Sequence, residues 1–541
     1  MHKLPLFLVA TVALPAVAII LPLAYLILRT LSVSGDQLVA LILRHRTIEI
    51  ILNSAGLAII TPLCATCIAV PIAFLTTRTD LPWRRFWLIT TILPLAVPDY
   101  VICFALIATF GPKGSLLQHL VEPLGIEVLP EIYGWHGAIL ALTLITYPYL
   151  LLSVQAGLQR MNPSLEEAAQ SLGHGPYARF FRIILPQLSP FLATGGLIVA
   201  MYALQDFSAA TLMRFDAFTR AIFIQYRYTY DRYQPAVLAL LLVGLMMSFL
   251  WLEHRVRSRA AFFTRTSTLC YTQPLIHLGC WKLPALLFCL VVVLLGLVLP
   301  IGVTLFWFIQ GLTHQGWSYD MSPFSKLMEL TWHSIWAAGW AAVVSTLCGL
   351  SVGILAVRFP HGLTTLIERC SYIGFGLPGV VVAFSIVYWG ANYAPSFYQT
   401  LPMLVFAYLV MFLPQSVGTI RSSLLQVNPQ LEDSARSLGR NAWQTFKEVT
   451  LPLIAPGVLS GAVLVFLTAL KELPATLLLA PIGFNTLSVH IWKSTESVSY
   501  SDAAAGALLM LMISLGLTLP LLSQNNLKEL PADTIRLRDF D

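Results

Sequence analysis

Apolar runs of about twenty residues, the length a helix needs to cross a bilayer, alternate along this chain with short connections that carry charges, prolines and glycines. The pattern predicts six spans in a first half, near 5–28, 48–76, 87–110, 136–158, 191–213 and 235–252. It predicts six more in a second half, near 283–309, 333–357, 371–392, 401–424, 457–479 and 503–522. A hydrophilic bridge from Glu253 to Trp281, beginning E-H-R-V-R-S-R-A, lies between them. The fold class is therefore an all-α polytopic membrane protein of about twelve transmembrane helices. The chain divides into a first half over 1–252, a linker over 253–281, a second half over 282–522 and a tail over 523–541.

Composition agrees with that pattern. The 541 residues are 57% hydrophobic and 11% charged, with mean hydropathy +0.77, where soluble proteins carry about 25% charged residues. The net charge of +6 is small and sits partly in loops, so it gives no case for nucleic acid. Cys64-x-x-Cys67 lies inside an apolar span without a second pair, and reads as small core residues instead of a metal or redox site. The N-terminus has a short basic start (His2, Lys3) and an apolar run to Leu28 with no clear small-residue cleavage site after it, so a span that stays in place is expected.

The basic residues orient the spans. Arg78, Arg84 and Arg85; Arg160, Arg179 and Arg182; Arg255, Arg257 and Arg259; Arg358 and Arg369; and Arg436, Arg440 and Lys447 fall on one side. That side is expected to be cytoplasmic, with both termini there. Arg214, Arg220, Arg227 and Arg232 fall on the other side, partly balanced by Asp216 and Asp231.

One polar stretch occurs twice. Asn162 to Pro190 reads N-P-S-L-E-E-A-A-Q-S-L-G-H-G-P-Y-A-R-F-F-R-I-I-L-P-Q-L-S-P, and Asn428 to Pro456 reads N-P-Q-L-E-D-S-A-R-S-L-G-R-N-A-W-Q-T-F-K-E-V-T-L-P-L-I-A-P. Glu167 pairs with Asp433 (433 − 167 = 266), and the same offset pairs Gly173 with Gly439 and Pro186 with Pro452. Each copy predicts a short helix, a turn and a second helix. Asn162 and Asn428 are N-caps, and Pro163 and Pro429 suit the first helical position. Glu166, Glu167, Glu432 and Asp433 sit where the helix dipole favours negative charge. Gly173 and Gly439 end the helix, since glycine tolerates the left-handed conformation there. Tyr177, Phe180 and Ile184 share a face of the following segment, as do Trp443 and Phe446.

These stretches resemble the EAA loop of permease subunits of ABC importers. Glu167-Ala168-Ala169, Gly173 and Ile183-x-Leu185-Pro186 fit that signature, and Asp433-Ser434-Ala435, Gly439 and Val449-x-Leu451-Pro452 fit it with Asp for Glu and Ser for Ala. The resemblance implies two tandem six-helix permease halves of the type I importer kind. It also implies a docking role in ATPase coupling for Glu167, Ala168, Ala169, Gly173, Asp433, Ser434, Ala435 and Gly439. The substitutions bear on whether the two copies couple equally.

The repeat extends further. An offset of 280 aligns Asn53-Ser54 with His333-Ser334, Arg78 with Arg358, and Val97-Pro98-Asp99-Tyr100-Val101 with Leu377-Pro378-Gly379-Val380-Val381. The fall in offset from 280 to 266 places an insertion in the outer loop Gly111–Trp135 of the first half. Two halves of like orientation form a parallel repeat, with a pseudo-twofold axis along the membrane normal and a pathway between them.

Chemistry is sparse. No G-x-x-x-x-G-K-[ST] loop is present, and Gly111-Pro-Lys-Gly-Ser has the wrong spacing, so ATP with its Mg²⁺ would be held by a separate ATPase subunit. The chain itself is expected to bind no cofactor and to hold no enzyme active site. Ionisable groups at membrane depth are costly and mark function by default. Asp206 and Glu472 hold equivalent places in the fifth spans (472 − 206 = 266), and Asp99 and Tyr100 follow a proline in a broken helix. All four are candidate pathway or gate residues; the alternative is that they hold the bundle together. Phe218–Tyr226 and Phe484–Trp492 read as amphipathic segments at the outer interface.

The stretch from Lys471 to Leu487, K-E-L-P-A-T-L-L-L-A-P-I-G-F-N-T-L, followed by Trp492, resembles the fused two-half permeases of ferric-iron ABC importers. That resemblance implies a bacterial inner membrane, an ABC ATPase dimer at the cytoplasmic loops, a periplasmic substrate-binding protein and alternating access. Similar permeases serve thiamine, phosphonates or polyamines. Twelve spans in parallel halves also fit a carrier driven by an ion gradient, but such a carrier has no need of two equivalent docking helices.

Overall fold

A computed structural model describes residues 6–125, 128–161, 164–228, 233–260, 275–313, 323–359 and 361–528. The principal helices of the first half are α1 (Leu6–Leu31), α2 (His45–Arg78), α3 (Asp99–Phe110), α4 (Trp135–Arg160), α5 (Ser164–Ser171), α6 (Leu185–Gln205), α7 (Phe218–Tyr228) and α8 (Tyr233–Ala260). The second half repeats the order in α9 (Leu299–Thr313), α10 (Pro323–Arg358), α11 (Gly379–Tyr393), α12 (Leu401–Gln426), α13 (Pro429–Ser437), α14 (Leu451–Lys471), α15 (Leu487–Glu496) and α16 (Tyr500–Lys528). Among the described residues nine helices are long and apolar enough to cross a membrane, or up to eleven if each bent pair counts as one span. The protein is an all-α, multi-pass membrane protein of two tandem halves.

Prolines mark several of the places where the structure departs from the predicted spans. The span predicted at 87–110 is two helices, Arg84–Ala96 and Asp99–Phe110, bent by 97° at Val97-Pro98, because Pro98 lacks the N–H that would continue the ladder. Its counterpart breaks likewise at Gly374–Pro378, leaving α11 short. The predicted fifth spans begin earlier and end earlier than the apolar pattern suggests, at Pro176–Gln205 and Ala442–Lys471. Each passes through a π turn, Phe180–Ile184 and Phe446–Thr450, just before Pro186 and Pro452. A proline ring collides with the carbonyl four residues back, and the wider π turn relieves that. The insertion in the first half holds an extra short helix, Leu116–Val121, capped by Ser115 Oγ accepting from the Gln118 N–H at 3.3 Å.

In each half three long helices make the core: α2 packs on α4 and α6, and α10 packs on α12 and α14. Close approach uses the same site in both halves with the partners exchanged. On Gly157 of α4 a Cβ would come 2.8 Å from the Phe191 ring of α6, whereas on Gly457 of α14 a Cβ would come 1.7 Å from Ser423 Oγ of α12. Since 423 − 157 = 266 and 457 − 191 = 266, the vacancy has moved from one helix to the other.

First helices also reach across to the other half. α1 packs on α8 of its own half and on α10 and α11 of the second, and α9 packs on α16 of its own half and on α3 of the first. Tyr25 of α1 stacks on Tyr388 at 4.5 Å between ring centroids, and the Arg29 guanidinium lies 4.0 Å from the Tyr233 ring.

The linker is tied down where it enters the second half. The Ile276 N–H donates to the Arg78 carbonyl at 2.8 Å, the Asp80 N–H to the Ile276 carbonyl at 3.1 Å, and the Leu278 N–H to Asp80 Oδ1 at 2.9 Å. Lys282 Nζ lies 2.8 Å from Asp80 Oδ2. The Lys282 ammonium and the Leu278 N–H hold the Asp80 carboxyl well below the usual carboxylate range. The middle of the predicted linker, 261–274, and the tail from 529 lie outside the described residues.

Candidate functional site: the paired loops and the seam between the halves

Each EAA-like loop is fixed to its half by an arginine from the end of the long second helix. Arg78 Nη2 lies 2.8 Å from Glu166 Oε1, and Arg358 Nη2 lies 2.9 Å from Glu432 Oε1. The offset of 280 for the arginines and 266 for the acids makes the two pairs strict equivalents. Neighbouring contacts differ in detail. Arg358 also donates to the Val427 carbonyl at 3.2 Å, and Thr450 Oγ1 donates to Glu432 Oε1 at 3.0 Å. The sequence pattern places Glu166 and Glu432 only as first-turn acids; the matched offsets were the signal for this anchoring.

With Glu166 and Glu432 turned inward, the signature residues sort by face. Ala169 and Ala435 are buried against the bundle, and Glu167, Ala168, Asp433 and Ser434 are exposed. The exposed edge carries apolar tips, with Leu172 80% and Leu438 85% exposed. Gly173 and Gly439 turn the chain at φ 81° and 86°. There the His174 and Arg440 N–H groups donate back to the Ala169 and Ala435 carbonyls at 3.0 and 3.1 Å, a six-to-one closure of a helix C-terminus. Asn428 caps α13 by accepting from the Gln430 N–H at 3.0 Å, while the corresponding Asn162 and Pro163 lie outside the described residues. Along the face predicted for Tyr177, Phe180 and Ile184, Ile184 is buried, Phe180 meets the Phe74 ring at 5.4 Å and Tyr177 is exposed. Trp443 and Phe446 share theirs, with rings 5.7 Å apart and Trp443 exposed.

The three candidate acids and Tyr100 converge where the broken helices of the two halves meet. Asp206 Oδ2 accepts from the Ala209 N–H at 2.6 Å, and Glu472 Oε1 accepts from the Ala475 N–H at 3.2 Å. Each carboxylate thereby caps the short helix that follows its break, where free N–H groups would otherwise be unpaired at membrane depth. Backbone and side chain are both engaged: the Asp206 carbonyl accepts from Thr219 Oγ1 at 2.7 Å and the Glu472 carbonyl from Ser488 Oγ at 3.1 Å. Asp99 Oδ2 accepts from the Tyr202 hydroxyl at 2.6 Å. Tyr100 is fully buried, and its hydroxyl has no hydrogen-bond partner among the described residues. No group of three or more His, Cys, Asp or Glu that could hold a metal ion occurs among the described residues.

The outer segments α7 and α15 are not surface helices. Phe218 and Trp492 are among the largest fully buried side chains. The Phe223 ring meets Trp492 edge-on at 6.0 Å and Tyr226 meets Phe384 at 5.1 Å, so their aromatics fill the seam. Each is pinned by the serine that the repeat aligns. Ser54 Oγ accepts from the Phe218 N–H at 3.0 Å, and Ser334 Oγ accepts from the Leu487 N–H at 2.8 Å. The discordant basic residues of the far end are also accounted for locally. Arg220 pairs with Asp216, and Arg214 lies over the Tyr133 ring at 4.6 Å, whereas Asp231 and Arg232 lie outside the described residues.

The sequence profile of the binding-protein-dependent transport system inner membrane components matches residues 65–306 and 345–528. Among similar proteins, the Fe(3+)-transport system permease protein FbpB 2 of Haemophilus influenzae is 30% identical over 520 residues, covering 94% of this chain and 96% of that protein. The ferric transport system permease protein FbpB of Actinobacillus pleuropneumoniae is 24% identical over 507 residues, covering 90% and 72%. A putative 2-aminoethylphosphonate transport system permease protein, PhnV of Salmonella typhimurium, is 25% identical over 224 residues, covering 41% and 80%. Matches that take in both halves and both loops decide against an unrelated ion-driven carrier: this chain belongs to the family of binding-protein-dependent transport system inner membrane components and is an ABC importer permease.

Proposed function

We propose that the chain is the membrane pathway for ferric iron in an ATP-driven importer of the bacterial inner membrane. The observation that carries the mechanism is the pair of loops with the same anchoring, Arg78–Glu166 and Arg358–Glu432, which leaves the same outward edge free on each. An ABC ATPase dimer grips those edges in the cytoplasm, where both termini also lie, and supplies the ATP–Mg²⁺ site that this chain lacks. Closure of the ATPase pair draws the loops together, the rigid fifth helices carry the motion to the breaks at Asp206 and Glu472, and the seam opens outward. Hydrolysis returns it. A periplasmic binding protein brings the cargo to the far end, so selectivity need not reside here. The bounds 1–252, 253–281, 282–522 and 523–541 divide the chain into halves, linker and tail.

The iron assignment is supported by the near full-length likeness to the Haemophilus permease. Uptake of radiolabelled Fe³⁺ into vesicles holding the chain, its ATPase and its binding protein tests it. ATP-dependent uptake, absent with a hydrolysis-dead ATPase, is the expected result. ATP turnover without iron uptake would remove iron while keeping the importer, and the partial likeness to PhnV makes 2-aminoethylphosphonate the next cargo to try.

A further inference from the structure

The repeat is broken at one place in the seam. Asp99 aligns with Gly379 (379 − 99 = 280) and Gln205 with Lys471 (471 − 205 = 266), so one half supplies the acid and the other the base. Lys471 ends α14, and its ammonium donates across the seam to the Leu95 carbonyl of the first half at 3.0 Å. That carbonyl is open because of the break. In a continuous helix the Asp99 N–H would close on it, but the turn ends with the Val97 N–H on the Pro94 carbonyl and a new helix starts at Asp99. The Asp99 carboxylate, oriented by Tyr202, lies within electrostatic reach of the same ammonium. The second half has no room for an equivalent acid. A Cβ on Gly379 would come 2.7 Å from Glu472 Oε1, so the longer Glu472 fills the space that Asp99 takes in the first half.

We propose that Lys471 is a one-sided latch between the halves: its ammonium, seated on the Leu95 carbonyl beside Asp99, holds the two breaks together in the resting seam and must leave them for the pathway to open. It is a positioning residue for the transport cycle, acting on the Pro98 break and not on cargo. The proposal takes alternating access from the function proposed above but does not depend on what is carried.

The test uses the full chain with its ATPase in nanodiscs without cargo, which separates it from any failure of the iron reading. Two backgrounds each keep one native cysteine: Cys103, buried one turn beyond Asp99, or Cys348, half-buried in α10 of the second half. In the first, Lys471→Gln, which copies Gln205, is expected to speed labelling by a small water-soluble thiol reagent about tenfold, as loss of one charged hydrogen bond allows. Labelling of Cys348 should not change. Asp99→Asn, which leaves the ammonium on Leu95, should speed Cys103 labelling less, and serves alone if Lys471→Gln does not fold. Unchanged Cys103 labelling, or equal acceleration at both cysteines, overturns the latch.

Discussion

At Gly173 and Gly439 an added Cβ would meet nothing within 4 Å, so what these positions require is a backbone conformation and not space. A left-handed φ costs an ordinary residue about 1–2 kcal/mol, and asparagine less. Gly439→Val is therefore expected to abolish most ATP-driven uptake while the protein still inserts, and Gly439→Asn to retain most of it. Equal losses, measured in the same vesicles, would show that a partner chain needs the bare glycine. Asp206 separates cap from charge. Asn keeps an acceptor for the Ala209 N–H whereas Ala does not, so Asp206→Asn should slow uptake by less than about threefold and Asp206→Ala should also lower the stability, by roughly the 1 kcal/mol of a lost cap, read as a lower melting temperature. The loop glycines and the pair Asp206 and Glu472 were legible in the sequence because each occurs twice at one offset. The reach of Lys471 was not, because its partner is a backbone carbonyl 376 residues away, and a carbonyl leaves no mark on residue type.

Helices that break inside an apolar run share their composition with helices that do not, which is why the predicted spans at 87–110 and 191–213 pass over the bends. Prolines marked the breaks at Pro98 and Pro474 but not the one at Asp206, and Pro148 and Pro414 sit inside continuous α4 and α12, so a proline alone does not fix the outcome; packing does. The same limit explains α7 and α15. An amphipathic pattern with aromatic ends reads equally as an interface helix or as a helix laid between two apolar halves, and the serine pins from α2 and α10 choose the second. The exchanged vacancy in the core gives a direct test at this scale. Gly457→Ala should destabilise the purified protein by about 1–3 kcal/mol through overpacking, read as a lower melting temperature, because the new methyl meets Ser423. Adding Ser423→Gly should restore most of that loss. Additive losses would mean that the two sites do not share one space.

The two halves are held together by more than the linker. With α1 packed on the second half as well as its own, and α9 on the first as well as its own, a protease site placed between 261 and 274 should cut the chain without parting it, the fragments eluting as one species in mild detergent. Separation of the fragments would show that these cross-packed helices contribute little. Fold class and duplication were readable from hydropathy and offsets alone; the cross-packing was not, since a span's sequence does not say which half buries it. The unequal seam bears on assembly. A pair of first halves would set Asp99 against Gln205 on both sides with no ammonium, leaving charge at membrane depth without its complement, which is costly. The unlike halves supply both acid and base, and joining them in one polypeptide fixes their ratio at one to one while keeping each at high effective concentration for the other. The fusion thus lets two copies of one ancestral plan diverge at the seam, since neither ever has to meet itself.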